Sequence, residues 1–306
     1  RGIPVSPEEV VVTPGAKPIM FFTILALAEP GDEVIYPNPG FPIYESMINF
    51  AGATPIPIPL REEKEFRFDV QELRDKITPH TRLIIINSPQ NPTGSVLSHE
   101  DLAAIAELAQ QHDLMILADE VYSRILYMGE HLSVASFPGL KERTIILDGY
   151  SKTYAMTGWR LGYGVMPAEL AACVAQLMVN STSCTAAFTQ YAGIEALRGL
   201  QDASMQMVAA FKERRDVVVA GLRSIPGLTC VEPKGAFYVF PNITATGMES
   251  KPFADHLLQK AGVAALAGTS FGAYGEGYIR ISYANSLENL RRAVDRIAEV
   301  VADLSA

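Results

Sequence analysis

Lys152 and Arg160 stand eight residues apart in "GYSKTYAMTGWR", residues 149–160, a stretch of small, hydroxyl-bearing and apolar neighbours. A lysine held in an apolar pocket loses proton affinity by desolvation and becomes an amine able to attack a carbonyl. A lysine snorkelling at a strand end gives the same local pattern, but the guanidinium of Arg160 beside a glycine-rich run suits a phosphate. Asp119 closes the apolar run "LMILADEVY", with Tyr122 following three positions on. A carboxylate at the C-terminal end of a parallel strand sits where open α/β sheets bind ligands; a cap for the following turn is the alternative. In "NSPQNPTG", residues 87–94, a strand runs into two X-Pro bonds and a glycine. That turn aims the amide of Asn91 above the strand end, with one of the bonds expected to be cis. In "GYIRISYA", alternation puts Tyr278, Arg280 and Ser282 on one face. A guanidinium in mid-strand calls for an anion, either a buried acid or a ligand carboxylate.

An amine for a carbonyl, an acid for a ring nitrogen, a phenol for a ring oxygen and an arginine for a phosphate are together the requirements of pyridoxal 5′-phosphate. Other chemistries fit less well. "GTSFG", residues 268–272, matches a nucleophile elbow, but that arrangement needs a histidine downstream and the last one is His256. The histidines at 80, 99, 112, 131 and 256 have no metal-ligand spacing, and there is no G-x-G-x-x-G.

The elements that must position these residues follow from periodicity. "EEVVVTPGA" reads as a strand and turn leading into an apolar helix over about residues 17–28. "GDEVIYPNP" reads as a second strand and the proline-interrupted "ATPIPIPL" as an edge strand. "TRLIIINSP" has the continuous apolar character of a strand covered on both faces. Ser98 caps a helix through Gln111, and "LMILADEVY", "TIILDGYS" and "RLGYGVMP" complete the strand series. Strands alternating with helices predict an α/β fold with a mostly parallel sheet. A long helix over residues 200–224 follows, then strands at "GLTCVE", "GAFYVFP", "VAALAG" and "YIRISYA", a helix near 252–260 and an amphipathic helix over 286–304. This part reads as a smaller α+β domain.

The chain has 306 residues, 48% of them hydrophobic and 19% charged, which suits about two globular domains. A net charge of −9 argues against nucleic acid or an anionic membrane as partner. No apolar run reaches the ~18–20 residues of a membrane span. Cys173, Cys184 and Cys230 are odd in number and lack C-x-x-C spacing, which predicts a reducing, cytoplasmic location without a disulfide framework or structural zinc.

In order and spacing, "VVTPGAKP", "NSPQNPTG", "ADEVY", "GYSKTYAMTGWRLGY" and "RISYANS" resemble the class I/II aminotransferases of the fold-type I pyridoxal-phosphate enzymes, in particular the aspartate/aromatic-like branch. The resemblance implies a large cofactor-binding domain over residues 1–203 and a small C-terminal domain over 204–306. It also implies a homodimer with the site at the subunit interface, acting on amino-acid and 2-oxo-acid substrates by a ping-pong cycle.

Residue by residue, it implies that Gly15, Ala16 and Lys17 form a phosphate-binding turn at a helix start and that Phe41 stacks on the cofactor ring. Asn91 would contact the ring oxygen and substrate carboxylate, Asp119 the pyridine nitrogen and Tyr122 the ring oxygen. Lys152 would form the internal aldimine, Arg160 would bind the phosphate, and Arg280 would grip the substrate α-carboxylate. Many relatives carry a phosphate-binding serine where this sequence has Gly149, and Ser151 is the expected substitute. Relatives also carry an N-terminal arm that covers the substrate and lends a tyrosine to the partner's phosphate; its absence here leads us to expect a fragment or processed chain. A carbon–sulfur β-lyase of the same fold, or the effector domain of an aminotransferase-like regulator, would share these motifs. Dicarboxylate selectivity usually takes a second cation, and none is marked, so neutral or broad substrates are expected.

Overall fold

A computed structural model describes residues 1–304. The larger sheet contains β1 (Val10–Thr13), β2 (Glu33–Asn38), β3 (Thr54–Pro59), β4 (Thr81–Asn87), β5 (Met115–Asp119), β6 (Thr144–Gly149) and β7 (Gly162–Val165), in the order β1-β7-β6-β5-β4-β2-β3. From β3 through β6 neighbouring strands are parallel, whereas β7 runs antiparallel to both β6 and β1. The proline-rich β3 lies at an edge, where missing N–H donors leave no ladder bond unmade.

The helices of this part are α1 (Lys17–Leu27), α2 (Ile43–Phe50), α3 (Val70–Lys76), α4 (His99–Gln111), α5 (Tyr150–Thr153), α6 (Ala168–Thr182) and α7 (Ala187–Arg198). The continuous apolar strands have both faces covered because successive side chains point opposite ways. Leu83, Ile85, Leu117 and Leu147 join one core with Ile19, Ile24 and Ile48 of α1 and α2. Ile84, Ile86, Ile116 and Ala118 join another with Leu73, Leu102 and Ile105 of α3 and α4. Ser98 caps α4 as expected: its hydroxyl accepts from the Asp101 N–H and the Asp101 carboxylate accepts from the Ser98 N–H.

The C-terminal part contains α8 (Asp202–Arg223), β8 (Tyr238–Val239), α9 (Ser250–His256), β9 (Leu266–Ala267), β10 (Ile279–Ser282) and α10 (Leu287–Leu304). Its small sheet has the order β8-β10-β9, antiparallel throughout. Leu290, Ile297, Val300 and Val301 give α10 one buried stripe, which joins Val218, Leu222, Val239, Ile279 and Ile281 in a third core. "GLTCVE" departs from expectation: it makes only an isolated bridge, Thr229 with Asn242. α6 and α7, which fill the chain between β7 and the long helix, had no counterpart in the sequence reading.

Among the described residues, no helix is long and apolar enough to cross a membrane.

Candidate functional site

The C-terminal ends of β4, β5 and β6, the start of α1 and one face of the small sheet enclose a cavity of about 360 Å³. Asn91, Asp119, Tyr122, Ser151, Lys152, Arg160 and Arg280 all line it, together with Ala16, Lys17 and Phe41. Of the expected cofactor- and substrate-binding residues, only Gly15 is not itself in the lining. It packs instead against the Arg160 guanidinium, where an added Cβ would lie 2.2 Å from Nη2, and its φ of +88° is one that glycine adopts freely.

Asp119 ends β5 and is almost fully buried. Its Oδ2 accepts from the Tyr44 hydroxyl at 2.7 Å and its Oδ1 from the Val121 N–H at 3.4 Å. Among the described residues no cation pairs with it, and burial raises its carboxyl from 3.8 to about 6 despite these donors. Asn87, at the end of β4, fastens the adjoining loop. Its amide donates to the carbonyls of Asp119 (3.0 Å) and Pro89 (3.2 Å), and its Oδ1 accepts from the Asn91 N–H at 2.9 Å. Both X-Pro bonds of this loop are cis, where one was expected. So fastened, Asn91 presents its Oδ1 to Arg280, whose Nη1 donates to it at 2.9 Å.

Among the described residues, Arg280 has no acidic partner. Its guanidinium lies between the rings of Tyr238 (4.4 Å) and Phe271 (4.7 Å), and its buried Nε makes no hydrogen bond. Lys152 follows β6 on the short α5, with Nζ 5.5 Å from the Phe237 ring centre and 6.0 Å from that of Tyr122. Burial lowers its proton affinity, and the positive charges of Arg280, Arg160 and Lys17 lower it further. The Tyr122 hydroxyl is 3.0 Å from that of Tyr238, and burial holds its pKa well above the ordinary tyrosine value, with Tyr238 adding to the rise.

Arg160 donates to the carbonyls of Thr157 (2.9 Å) and Pro14 (3.5 Å), which leaves its guanidinium beside the start of α1. No side chain caps that helix start; Pro18 lacks an N–H and the Ile19 N–H donates to the Ala16 carbonyl at 3.1 Å, so the N–H groups of Ala16 and Lys17 are the donors that face the guanidinium's side. The Lys17 ammonium sits 5.3 Å from the Phe41 ring centre. Among the described residues, none of Lys17, Lys152, Arg160 and Arg280 forms an ion pair, and no group of residues could hold a metal ion.

Several contributors escaped the sequence reading. Tyr44, Asn87, Tyr238 and Phe271 act on the site from positions whose local pattern is only that of a helix, strand or loop. Arg1 lies outside the lining, where its guanidinium pairs with the buried Glu120 and, at 2.7 Å, with Asp148. Tyr238 was legible only as part of the apolar strand "GAFYVFP", and nothing in the sequence linked it to Tyr122.

The chain matches the family model for "Aminotransferase class I and II" over residues 1–297. It is 44% identical over 303 residues to an aspartate aminotransferase of Pyrococcus horikoshii, a match covering 98% of this chain and 77% of that protein. An aromatic-amino-acid aminotransferase of Thermococcus litoralis is 41% identical, with 98% and 78% covered. The crystal structure of an aromatic aminotransferase from Pyrococcus horikoshii superposes with a TM-score of 0.97 at 41% identity, covering 99% of this chain and 82% of that one.

Proposed function

Because the chain belongs to the class I and II aminotransferases, pyridoxal-phosphate enzymes that move an amino group between an amino acid and a 2-oxo acid, we propose a role in that reaction for each residue of its pocket. One observation carries the assignment. A protein of net charge −9 gathers Lys17, Lys152, Arg160 and Arg280 around a single cavity without ion-pair partners among the described residues, opposite the buried Asp119. Such a cavity suits a ligand with a phosphate and a carboxylate at its ends and a cationic nitrogen against Asp119.

The donor set fits the cofactor. Arg160 and the start of α1, at Gly15, Ala16 and Lys17, form a cradle for a phosphate that combines a guanidinium with helix N–H groups. Ser151 is placed to add a hydroxyl. At Gly149, where relatives carry serine, a Cβ would come within 3.3 Å of the Ala16 Cβ, which supports Ser151 as the substitute. Phe41 covers the ring from the side of α2, Asp119 holds a protonated pyridine nitrogen, and Tyr122 and the Asn91 amide serve the ring oxygen. Bound pyridoxal phosphate supplies an aldehyde carbon for an amine and a ring that takes up the electron pair left at Cα when its proton departs. Lys152 is the covalent anchor, and its lowered proton affinity suits Nζ to take that proton and return it. Arg280, held by Asn91 and with Nε to spare, grips the substrate α-carboxylate through the planar fork that a lysine lacks.

Further readings complete the picture. Residues 1–203 form the cofactor-binding domain and 204–306 the small domain. The protein works as a homodimer, a reading supported by the exposed apolar residues Phe188, Tyr191, Ile194 and Leu197 along α7. A cytoplasmic location is supported by cysteines that are all free. The relatives named above act on aspartate and on aromatic amino acids, and among the described residues the lining has no arginine besides Arg160 and Arg280, which favours neutral or broad substrates. No observation favours the lyase or the regulator.

The test is a half-reaction. Tyrosine added to the cofactor-loaded protein should bleach the cofactor band and release one equivalent of 2-oxo acid. Borohydride reduction should place the cofactor on Lys152 in a peptide map. Ammonia release without a 2-oxo acid of the same carbon skeleton, or a label on another lysine, would overturn the reading.

A further inference from the structure

Tyr238 touches both halves of the site described above. It sits on β8, opposite Ser282 in the ladder with β10, so its backbone belongs to the small sheet that also carries Arg280. Its hydroxyl reaches across to Tyr122, 3.0 Å away, on the loop after β5. Its ring forms one wall of the aromatic slot around Arg280, with the guanidinium carbon 4.4 Å from its centre; Phe271 forms the other wall at 4.7 Å. Both phenols are buried, Tyr238 being 7% exposed and Tyr122 3%.

The phenol pair has a simple constraint: each hydroxyl has one proton to donate. If Tyr122 donates to Tyr238, its proton is not available to a ring oxygen in the cavity. If Tyr238 donates, the proton of Tyr122 points onward, and the acceptance of one hydrogen bond strengthens the donation of the next. The slot has its own logic. A guanidinium between two ring faces is held in plane by the rings' negative quadrupoles and loses little freedom when a carboxylate arrives.

We propose that Tyr238 is a positioning residue for amino-group transfer: its hydroxyl directs the Tyr122 proton toward the cofactor ring oxygen, and its ring holds Arg280 ready for the substrate carboxylate. The inference rests on the roles of Tyr122 and Arg280 given above.

The two functions separate by substitution. Tyr238→Phe removes the hydroxyl and keeps the ring; Tyr238→Leu removes both. In the cofactor-loaded protein, the pH midpoint of the cofactor's visible absorbance reports the ring oxygen, and the Kd of 3-phenylpropionate, an unreactive monocarboxylate, reports Arg280. Tyr238→Phe should raise the midpoint by roughly half a pH unit, as expected for weakening one neutral hydrogen bond, and change the Kd less than twofold. Tyr238→Leu should raise the midpoint similarly and weaken 3-phenylpropionate about tenfold. If Tyr238→Leu does not fold, Phe271→Leu opens the same slot from the other side and should weaken 3-phenylpropionate without moving the midpoint. An unchanged midpoint in Tyr238→Phe, or an unchanged Kd in the slot variants, overturns the proposal while leaving the assigned function standing. A parent protein with neither a titrating cofactor band nor 3-phenylpropionate binding would overturn the functional reading and this inference with it.

Discussion

Asp119 and Glu120 are consecutive and both buried, yet their carboxylates live in opposite electrostatic surroundings. Asp119 faces the cavity with only the Tyr44 hydroxyl and the Val121 N–H as donors, and burial raises its pKa to about 6. Burial would raise Glu120 too, but His131, Arg1 and Ser133 overcome that effect and bring it below its ordinary value. The Arg1 guanidinium bridges Glu120 and Asp148, the Ser133 hydroxyl donates to Glu120 at 2.5 Å, and His131 Nε2 lies 3.1 Å away. One carboxylate is satisfied by the fold; the other is left for a ligand to satisfy. A buried charge without a partner is a cost in the empty protein and a binding energy once a cationic ring nitrogen arrives. The difference separates a paired acid from an unpaired one more sharply than burial or strand position does.

The comparison breaks if the network around Glu120 proves dispensable. Arg1→Met leaves Asp148 without its cation and Glu120 with His131 and Ser133 alone, and removing one partner of a buried ion pair costs about 3–5 kcal/mol. Urea denaturation of the cofactor-free protein at neutral pH should show a loss of that order. A change within experimental error would mean that the acids are screened by something other than Arg1.

Asp119→Asn should lose turnover without losing stability. The amide keeps an acceptor for Tyr44 but cannot hold a protonated ring nitrogen, and losing one preorganised charge at a reacting centre costs roughly 10²–10³-fold in rate. Single-turnover measurements with saturating amino acid should show this loss in the decay of the cofactor band. Near-normal rates would make Asp119 a structural residue like its neighbour.

The same variant sharpens the contrast through pH. Asp119 has its folded pKa raised from 3.8 to about 6, so its protonated form is favoured in the folded state. Any advantage is present below the unfolded value and is lost as pH rises through the folded one. Above about pH 6 the ionised carboxylate therefore destabilises the cofactor-free protein by up to about 3 kcal/mol, at ~1.4 kcal/mol per unit. Cofactor-free Asp119→Asn should match the parent near pH 4 and be more stable at pH 7. Glu120→Gln should show the reverse sign, because a depressed pKa stabilises above the unfolded value and loses that contribution as pH falls. Parallel pH profiles for the two variants would refute the distinction.

Much of the site was legible in the sequence because its chemistry depends on residue types that are costly elsewhere. Lys152 and Arg160 in a run of small residues, Asp119 ending an apolar strand and Arg280 in mid-strand each called for an anion, a carbonyl or a cation from outside the local chain. Strand alternation likewise announced the sheet, since Leu83 and Ile84 must point to opposite faces and both are buried. "GLTCVE" misled because strand-like composition does not guarantee a ladder partner; here the chain passes Asn242 with a single bridge. α6 and α7 left no clear signal because much of their apolar surface is exposed, including Val179, Phe188 and Tyr191, which blurs a one-sided stripe.

By itself, then, the sequence pointed to the family through its resemblance, and to the parallel sheet and the residues that line the cavity through local pattern and side-chain chemistry. Which of two adjacent acids is free, which phenol faces Tyr122 and which rings enclose Arg280 were decided only by the tertiary structure. These contacts join Arg1 to Asp148, Tyr44 to Asp119 and Tyr122 to Tyr238. Electrostatics and hydrogen bonding depend on distance in space, and folding brings together partners whose separation along the chain carries no trace of their meeting.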